Sequence, residues 1–290
     1  MKNVNGCIIC GSADLTGYTT VCSPFLAERI WNTGHVRVQL VHCNACGITF
    51  YNPRLNDNEL ERLYKDYRSP GYQRQRERHE PWYTREANNT ETEIDERTSN
   101  ISDIFARRCD AGQVRTVLDY GGDRGQFIPG EFAHADRYVY DISNVPLLPG
   151  IKRVSDITTK FDIIMCCHVL EHVSDPHEVI DRIMQFSHSG TKFYFELPAD
   201  LPLLLTPRFI NVFFAVVNSR AAKLYFRIVN RPDGVVFCRM HEHINYFSGK
   251  SLEMLLESHG MNVEYIAVRD VRMSACSKQI CCYATVEGKS

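Results

Sequence analysis

Three groups in this sequence have residue types and spacings that could do chemistry. The first is a pair of cysteine turns. Cys7-x-x-Cys10 stands in "CIICGS" and Cys43-x-x-Cys46 in "CNACGI". A C-x-x-C turn aims two thiolates at one point, and a following glycine lets backbone amides turn toward the sulfurs. Two such turns complete a closed tetrahedral Zn(Cys)4 site with no open coordination position, so the expected Zn2+ is structural. Chance clustering of buried thiols is the plainer alternative. A redox C-x-x-C would not need two copies.

The second pattern is "VLDYGGDRGQF" at 117–127, an apolar strand running into a glycine-rich turn and a following helix. A dinucleotide fingerprint G-x-G-x-x-G fails, because Asp123 and Gln126 stand where glycines are required. No G-K-[ST] follows, which excludes a P-loop. What remains is Asp119, Gly121 and Gly125 in D-x-G-x-x-x-G. A second acid, Asp141, ends the next apolar run 20 residues beyond Gly121, a distance suited to ribose hydroxyls. The pattern reads as a nucleoside site gripped by its sugar. Asp123 would repel a phosphate and favour a cation. A glycine turn with no ligand is the alternative.

Histidines supply the third group. His168 and His172 lie in "HVLEHVSDP", and His241, Glu242 and His243 form "HEH". Histidine titrates near neutrality, as a general base should. His243 is the first candidate base, with Glu242 beside it and His172 as a further catalytic candidate. His241 is assigned to the acceptor. Anchoring of a loop is the structural alternative for each.

The elements that must position these residues follow from periodicity. "VRTVLDY", "RYVYDI", "FDIIMCC" and "TKFYFEL" read as strands, and "DPHEVIDRIMQFS" as a helix between the last two. Two more strands are expected near 262–269 and 278–285, after a helix closed by Gly260. Alternating strands and helices predict an α/β, doubly wound, mostly parallel sheet with helices on both faces. Asn56 or Asp57 caps a helix with Leu60, Leu63 and Tyr64 as its stripe. A further helix is expected at about 90–109, whereas 68–86 shows no period and reads as an irregular connector. The first 50 or so residues look too polar to build a core without metal. The resulting division is 1–55 zinc module, 56–112 helical connector and cap, and 113–290 ligand-binding domain.

Bulk properties limit the function classes. The chain has 290 residues, 44% hydrophobic and 23% charged, with a formal net charge of −2. Nothing in that charge asks for nucleic acid as a partner. The N-terminus has no apolar core of the signal-peptide kind, and "FINVFFAVV" at 209–217 is far short of the roughly 20 residues that span a bilayer, so a cytoplasmic protein is expected. Residues 201–232 contain no acid but include Arg208, Arg220, Lys223, Arg227 and Arg231. That stretch, within an insertion at about 198–240, fits a substrate lid, a membrane-surface helix or a dimer face.

The motifs together resemble the class I S-adenosylmethionine-dependent methyltransferases over about 110–285. "VLDYGGDRG" is similar to their first motif, with Asp123 replacing a glycine, and "YDIS" to their ribose-binding acid. "VSDITTKFDIIMCCHVLEHVSDPHEVIDRI" resembles a stretch of one branch, with Asp156 placed toward the adenine amino group. The resemblance implies a seven-stranded Rossmann-like sheet and S-adenosylmethionine as cofactor. It implies cofactor contacts at Asp119, Tyr120, Gly121, Gly122, Asp123, Gly125, Asp141, Ile142, Asp156, Ile157 and His168. With the cysteine module, the chain is similar to sugar C-methyltransferases, in which a His–Glu–His segment lines the active site, but it lacks their additional C-terminal domain. Tyr72, Arg208, His241 and Tyr246 are the expected acceptor contacts. The implied function is methyl transfer to a small molecule: a nucleotide-linked sugar, a polysaccharide or a natural-product precursor, phosphorylated or lipid-linked in some cases. A protein- or RNA-directed methyltransferase and a non-catalytic cofactor-binding regulator are the alternatives.

Overall fold

The computed structural model describes residues 1–67, 69–80, 91–143, 145–154, 158–199, 240–270 and 278–286. The chain builds two sheets. The first is antiparallel and orders β1 (Leu15–Val21), β2 (Arg37–Cys43) and β3 (Thr49–Asn52) side by side. Its fourth strand, β9 (Asn245–Tyr246), arrives from nearly 200 residues away and pairs Asn245 with Phe50. Helix α1 (Pro24–Trp31) crosses this module, started by Ser23 as N-cap with Pro24 in the first turn.

Apolar residues of this part are buried in a cluster shared with later segments of the chain, among them Leu63, Tyr72, Met240 and Ile244. Phe25, Leu26, Ile30, Val38, Leu40 and Tyr51 are all buried in one cluster. Helix α2 (Asp57–Tyr64) joins it through Leu63, behind an Asn56–Glu59 capping box. The expected irregular connector is corrected. Residues Pro70–His79 form helix α3, and its start was legible in Ser69–Pro70, an N-cap followed by proline. Its arginine-rich face hid the period, but Tyr72 and Arg76 are buried.

The second sheet has seven strands in the order β10-β11-β8-β7-β4-β5-β6. They are β4 (Thr116–Tyr120), β5 (Asp136–Tyr140), β6 (Ile151–Arg153), β7 (Ile163–Cys167), β8 (Lys192–Pro198), β10 (Met261–Asp270) and β11 (Lys278–Val286). Only β11 runs against the others. Such a sheet is covered on both faces, which is why every residue of β7 is buried. Helix α4 (Glu91–Ala106) packs Ile101, Ile104 and Phe105 on the face of Val117, Ile163 and Met165. Helices α5 (Pro176–Met184) and α6 (Gly249–Glu257) cover the other face, where Ile180, Ile183, Leu252 and Leu255 meet Leu118, Ile164 and Cys166. Each such side chain contributes about 1.5–3 kcal/mol by leaving water. Cys22, Cys166, Cys167, Cys281 and Cys282 are small core residues.

The helix expected directly after β4 does not form. Residues 121–129 are turns and a bend, followed by a single 3-10 turn at Gly130–Phe132. Gly122, Gly125, Pro129 and Gly130 crowd that stretch and deny it a helix. Strand β4 continues to β5 on one side and neighbours β7 on the other. At such a reversal of strand order a crevice opens beyond the carboxyl ends of the strands. The insertion expected at about 198–240 lies outside the described residues, its two ends apart. No helix among the described residues is long and apolar enough to cross a membrane.

Candidate active site

A cavity of about 1330 Å3 occupies this crevice. Its floor is the end of β4 with the turn after it. Its far wall comes from the N-terminal module and α2, through Lys2, Val4, Ile8, Leu60 and Tyr64. The site is therefore a cleft between the two sheets.

Asp119 and Gly121 define the floor. Asp119 is fully buried, and neither of its carboxylate oxygens has a hydrogen-bond partner among the described residues. Burial, opposed by Arg97 and reinforced by Asp141, pushes its pKa from 3.8 up to about 7. Gly121 has φ +76°, and a Cβ there would lie 2.3 Å from Val169. A Cβ on Gly122 would lie 2.3 Å from the Asp119 carboxyl carbon. No larger residue fits either position. Gly125 turns the chain under Val139 and Ile151. Asp123 adopts φ +52°, the left-handed region that aspartate tolerates better than most residues, and donates its N–H to Asp141 Oδ2 at 2.9 Å. Aspartate can therefore stand in a glycine's place with the backbone bend kept. Asp141 also accepts from Ser143 N–H at 2.6 Å, and Ile142 beside it is left 69% exposed.

His168 lies deeper, between two buried acids. Its Nδ1 is 3.1 Å from Glu171 and its Nε2 3.3 Å from Glu196. Burial and Arg97 act against its charge, but the two carboxylates outweigh them and raise its pKa. Both acids stay ionised at about 2 despite burial, held by His168 and, for Glu196, first by Arg97. Arg97 of α4 lies 2.6 Å from Glu196 and stacks 3.6 Å over the Phe127 ring. Arg97, Glu171 and Glu196 were not identified in the sequence. Arg97 falls three residues after Ile94 and four before Ile101, inside the buried stripe of α4, so a lone cation on an apolar helix face was the signal that could have marked it.

Two histidines meet at the acceptor side. His172 Nδ1 lies 3.0 Å from the Glu242 carbonyl oxygen, which can only accept, so Nδ1 carries the proton and Nε2 is left as an acceptor. His172 lines the cavity and His243 does not. The two rings meet edge to face, 4.7 Å apart. Burial first, then His172, pushes His243 down to about 3, so it is neutral. The Tyr64 hydroxyl is buried at the cavity wall with no partner among the described residues.

Glu242, expected beside the base, turns its carboxylate away. It accepts from the Tyr72 hydroxyl and pairs with Arg76, both on α3. Burial raises its pKa, but Arg76, His172 and Tyr72 outweigh that and leave it charged. It is no proton acceptor. Tyr72 is thereby spent on Glu242 and does not line the cavity. His241 Nδ1 faces Glu80 at 3.0 Å, and Tyr246 pairs with Thr49 in the first sheet and packs near Tyr51. These three expected acceptor contacts support the site from behind. Asp156, Ile157 and Arg208 lie outside the described residues.

The four cysteines converge. The Sγ atoms of Cys7 and Cys46 lie 3.5 Å apart, those of Cys10 and Cys43 3.6 Å, and all four fall within 4.8 Å of one another. Tetrahedral Zn–S bonds of 2.3 Å require about 3.8 Å between sulfurs, so the set fits the ion. The Ile9 N–H points at Cys7 Sγ at 3.4 Å, and the neighbouring Cys46 thiol pulls Cys7 down to about 5. None of the described cysteines forms a disulfide.

The model of the methyltransferase domain family matches residues 72–266, from α3 to the middle of β10. The chain belongs to that family. No curated protein matches it in sequence. Among solved structures, this methyltransferase is similar to the 1,6-didemethyltoxoflavin-N1-methyltransferase of Burkholderia thailandensis, described with 1,6-didemethyltoxoflavin and S-adenosylhomocysteine bound. The identity is 13%, the TM-score 0.50, and the match covers 87% of this chain and 96% of that one. The magnesium protoporphyrin IX methyltransferase of Synechocystis PCC 6803 is similar at 14% identity and TM-score 0.44, covering 80% of this chain and 100% of that one. At such identities the likeness is one of fold, and the methyltransferase shares the mostly parallel seven-stranded sheet expected of it.

Proposed function

We propose that this methyltransferase takes its methyl group from S-adenosylmethionine and passes it to a small-molecule acceptor in the cleft between its two sheets. The observation that carries this reading is the Asp119 carboxylate, buried without a partner on the floor of the crevice. A buried anion of that kind needs a cation, and the amino group and sulfonium of the cofactor supply one.

When bound, S-adenosylmethionine provides an electrophilic methyl group, so the protein's part is position, electrostatics and a place for the acceptor's proton. Asp119 would hold the amino-acid end, with Gly121 and Gly122 allowing close backbone approach. Asp141 would receive the ribose hydroxyls, and Ile142 offers apolar surface to the base. His172 Nε2 takes the proton of an acceptor hydroxyl or carbon acid. His243, neutral behind it, keeps that ring free of a competing charge. The four cysteines would hold a structural Zn2+ and play no part in the transfer.

The acceptor class we favour is a nucleotide-linked sugar, a polysaccharide or a natural-product precursor. Support comes from the polar and aromatic wall of Lys2, Tyr64, Lys65 and Tyr67 facing the cofactor floor. The toxoflavin enzyme, similar in fold, also takes a small molecule. Calorimetric titration with S-adenosylhomocysteine tests the cofactor reading, and transfer of an isotope-labelled methyl group to sugar nucleotides tests the acceptor. No heat of binding, with a folded protein, would refute the first.

A further inference from the structure

Arg54 is a buried cation that the proposed transfer does not use. It leaves the first sheet two residues after β3, and its own backbone pairs with Lys2 in both directions, at 2.7 and 2.8 Å. The residue is 3% exposed. Its guanidinium carries five N–H groups. Nε donates to the Ser174 carbonyl at 3.0 Å. Nη1 donates to the carbonyls of Tyr51 at 3.0 Å and Ile244 at 3.3 Å. Nη2 donates to the Val173 carbonyl at 2.9 Å and to Asn245 Oδ1 at 2.6 Å. Every donor is used, and among the described residues no carboxylate touches the group. Burial pushes its pKa down to about 9, which still leaves it charged at neutral pH.

A buried charge hydrogen-bonded only to carbonyls is an expensive arrangement: Asp175 favours the charge from a distance but does not outweigh the lost hydration. Packing alone would be served by an apolar side chain. The identity of the acceptors shows what the fork joins. Val173 follows His172 directly, and Ile244 follows His243 directly. One guanidinium thus binds the carbonyl of the residue that follows each histidine. The link is reinforced by Asn245, whose Nδ2 donates to the Leu170 and Val173 carbonyls, and by the N–H groups of Ile244 and Asn245, which both donate to the Glu171 carbonyl.

We propose that Arg54 is a positioning residue of this methyltransferase, a fork that fixes the 171–174 turn against the 243–245 segment and so sets the orientation of His172 and His243. The proposal rests on the reading that these two histidines form the acceptor side of the site. It gives the cysteine-bearing module a task beyond the cavity wall it supplies, because the module carries the fork. Lysine cannot replace it: three donors on one nitrogen do not reach five acceptors on three segments.

The test uses the full chain with Arg54→Met and Arg54→Lys. Ring-nitrogen NMR of histidine reads the tautomer of His172, and calorimetry with S-adenosylhomocysteine reads the cofactor site. In the unaltered protein His172 gives one neutral tautomer, protonated at Nδ1. In Arg54→Met the bond to the Glu242 carbonyl is lost and both tautomers appear, while affinity for S-adenosylhomocysteine changes by less than about threefold. Arg54→Lys gives an intermediate mixture. A folded Arg54→Met protein with the original single tautomer overturns the proposal. If that variant does not fold, Arg54→Lys decides, and an unchanged His172 signal in it overturns the proposal equally. Absence of S-adenosylhomocysteine binding in the unaltered protein would count against the cofactor reading and leave the tautomer comparison intact.

Discussion

Arg76 of helix α3 forms a buried ion pair with Glu242, 166 residues further along the chain. The same carboxylate accepts from Tyr72, and Arg76 reaches Glu80, which in turn faces His241. Helix α3 and its C-cap Glu80 therefore hold the side chains of Glu242 and His241. Only the carbonyl of Glu242 is left to face the cleft, where it fixes the tautomer of His172. Removing one partner of such a pair leaves an uncompensated buried charge. Arg76→Met is expected to lose about 3–5 kcal/mol of stability, and Arg76→Met with Glu242→Gln to recover part of it. Denaturant unfolding of the two variants checks this. Equal losses in both would show that the pair is not the source.

Asp119 gives the second prediction, which concerns pH. Its folded pKa of about 7 lies above the ordinary 3.8. A carboxyl raised on folding destabilises the native state once it is ionised. The penalty is complete above pH 7, shrinks as pH falls through the folded value and vanishes below the unfolded one. Asp119→Asn should melt higher than the unaltered enzyme at pH 8 and no higher at pH 3.5. It should also lose S-adenosylhomocysteine binding. In the unaltered enzyme, binding at pH 6 should release close to one proton as Asp119 ionises against the ligand's amino group, and binding at pH 8.5 almost none. Calorimetry in buffers of different ionisation enthalpy measures this, and a proton count that does not change with pH would contradict it.

The histidines give the third. Loss of a general base costs about 10²–10⁴-fold in rate. His172→Ala should lose turnover on that scale with cofactor affinity retained. His243→Gln, which keeps a neutral polar group behind His172, should lose less. Methyl-transfer rates on any acceptor that supports turnover rank the two, and the reverse ranking would return the role of base to His243.

The cysteine cluster gives the fourth. Metal analysis should find one zinc per chain, lost in Cys43→Ser. Because β9 of the catalytic part completes the sheet that the cysteines help to hold, chelation should also increase hydrogen exchange at Asn245 and Tyr246. A chain that exchanges identically with and without metal would separate the module from the site.

The sequence by itself determined what short-range pattern can carry. The four cysteines, the Asp119–Gly121–Gly125 turn and Asp141 are fixed by spacing along the chain, and six strands of the second sheet by apolar runs, whereas β6, three residues with two exposed cations, left no such run. Ser69–Pro70 was equally local, but polar neighbours masked the helix it begins. The tertiary structure alone decided which histidine reaches the cleft, that Glu242 faces Arg76, and that Arg54 joins the 171–174 turn to the 243–245 segment. These are contacts between residues separated by 70 to 191 positions. Their partners are backbone carbonyls and single side chains, which leave no period or composition in the sequence. Only packing the two sheets against each other brings them together.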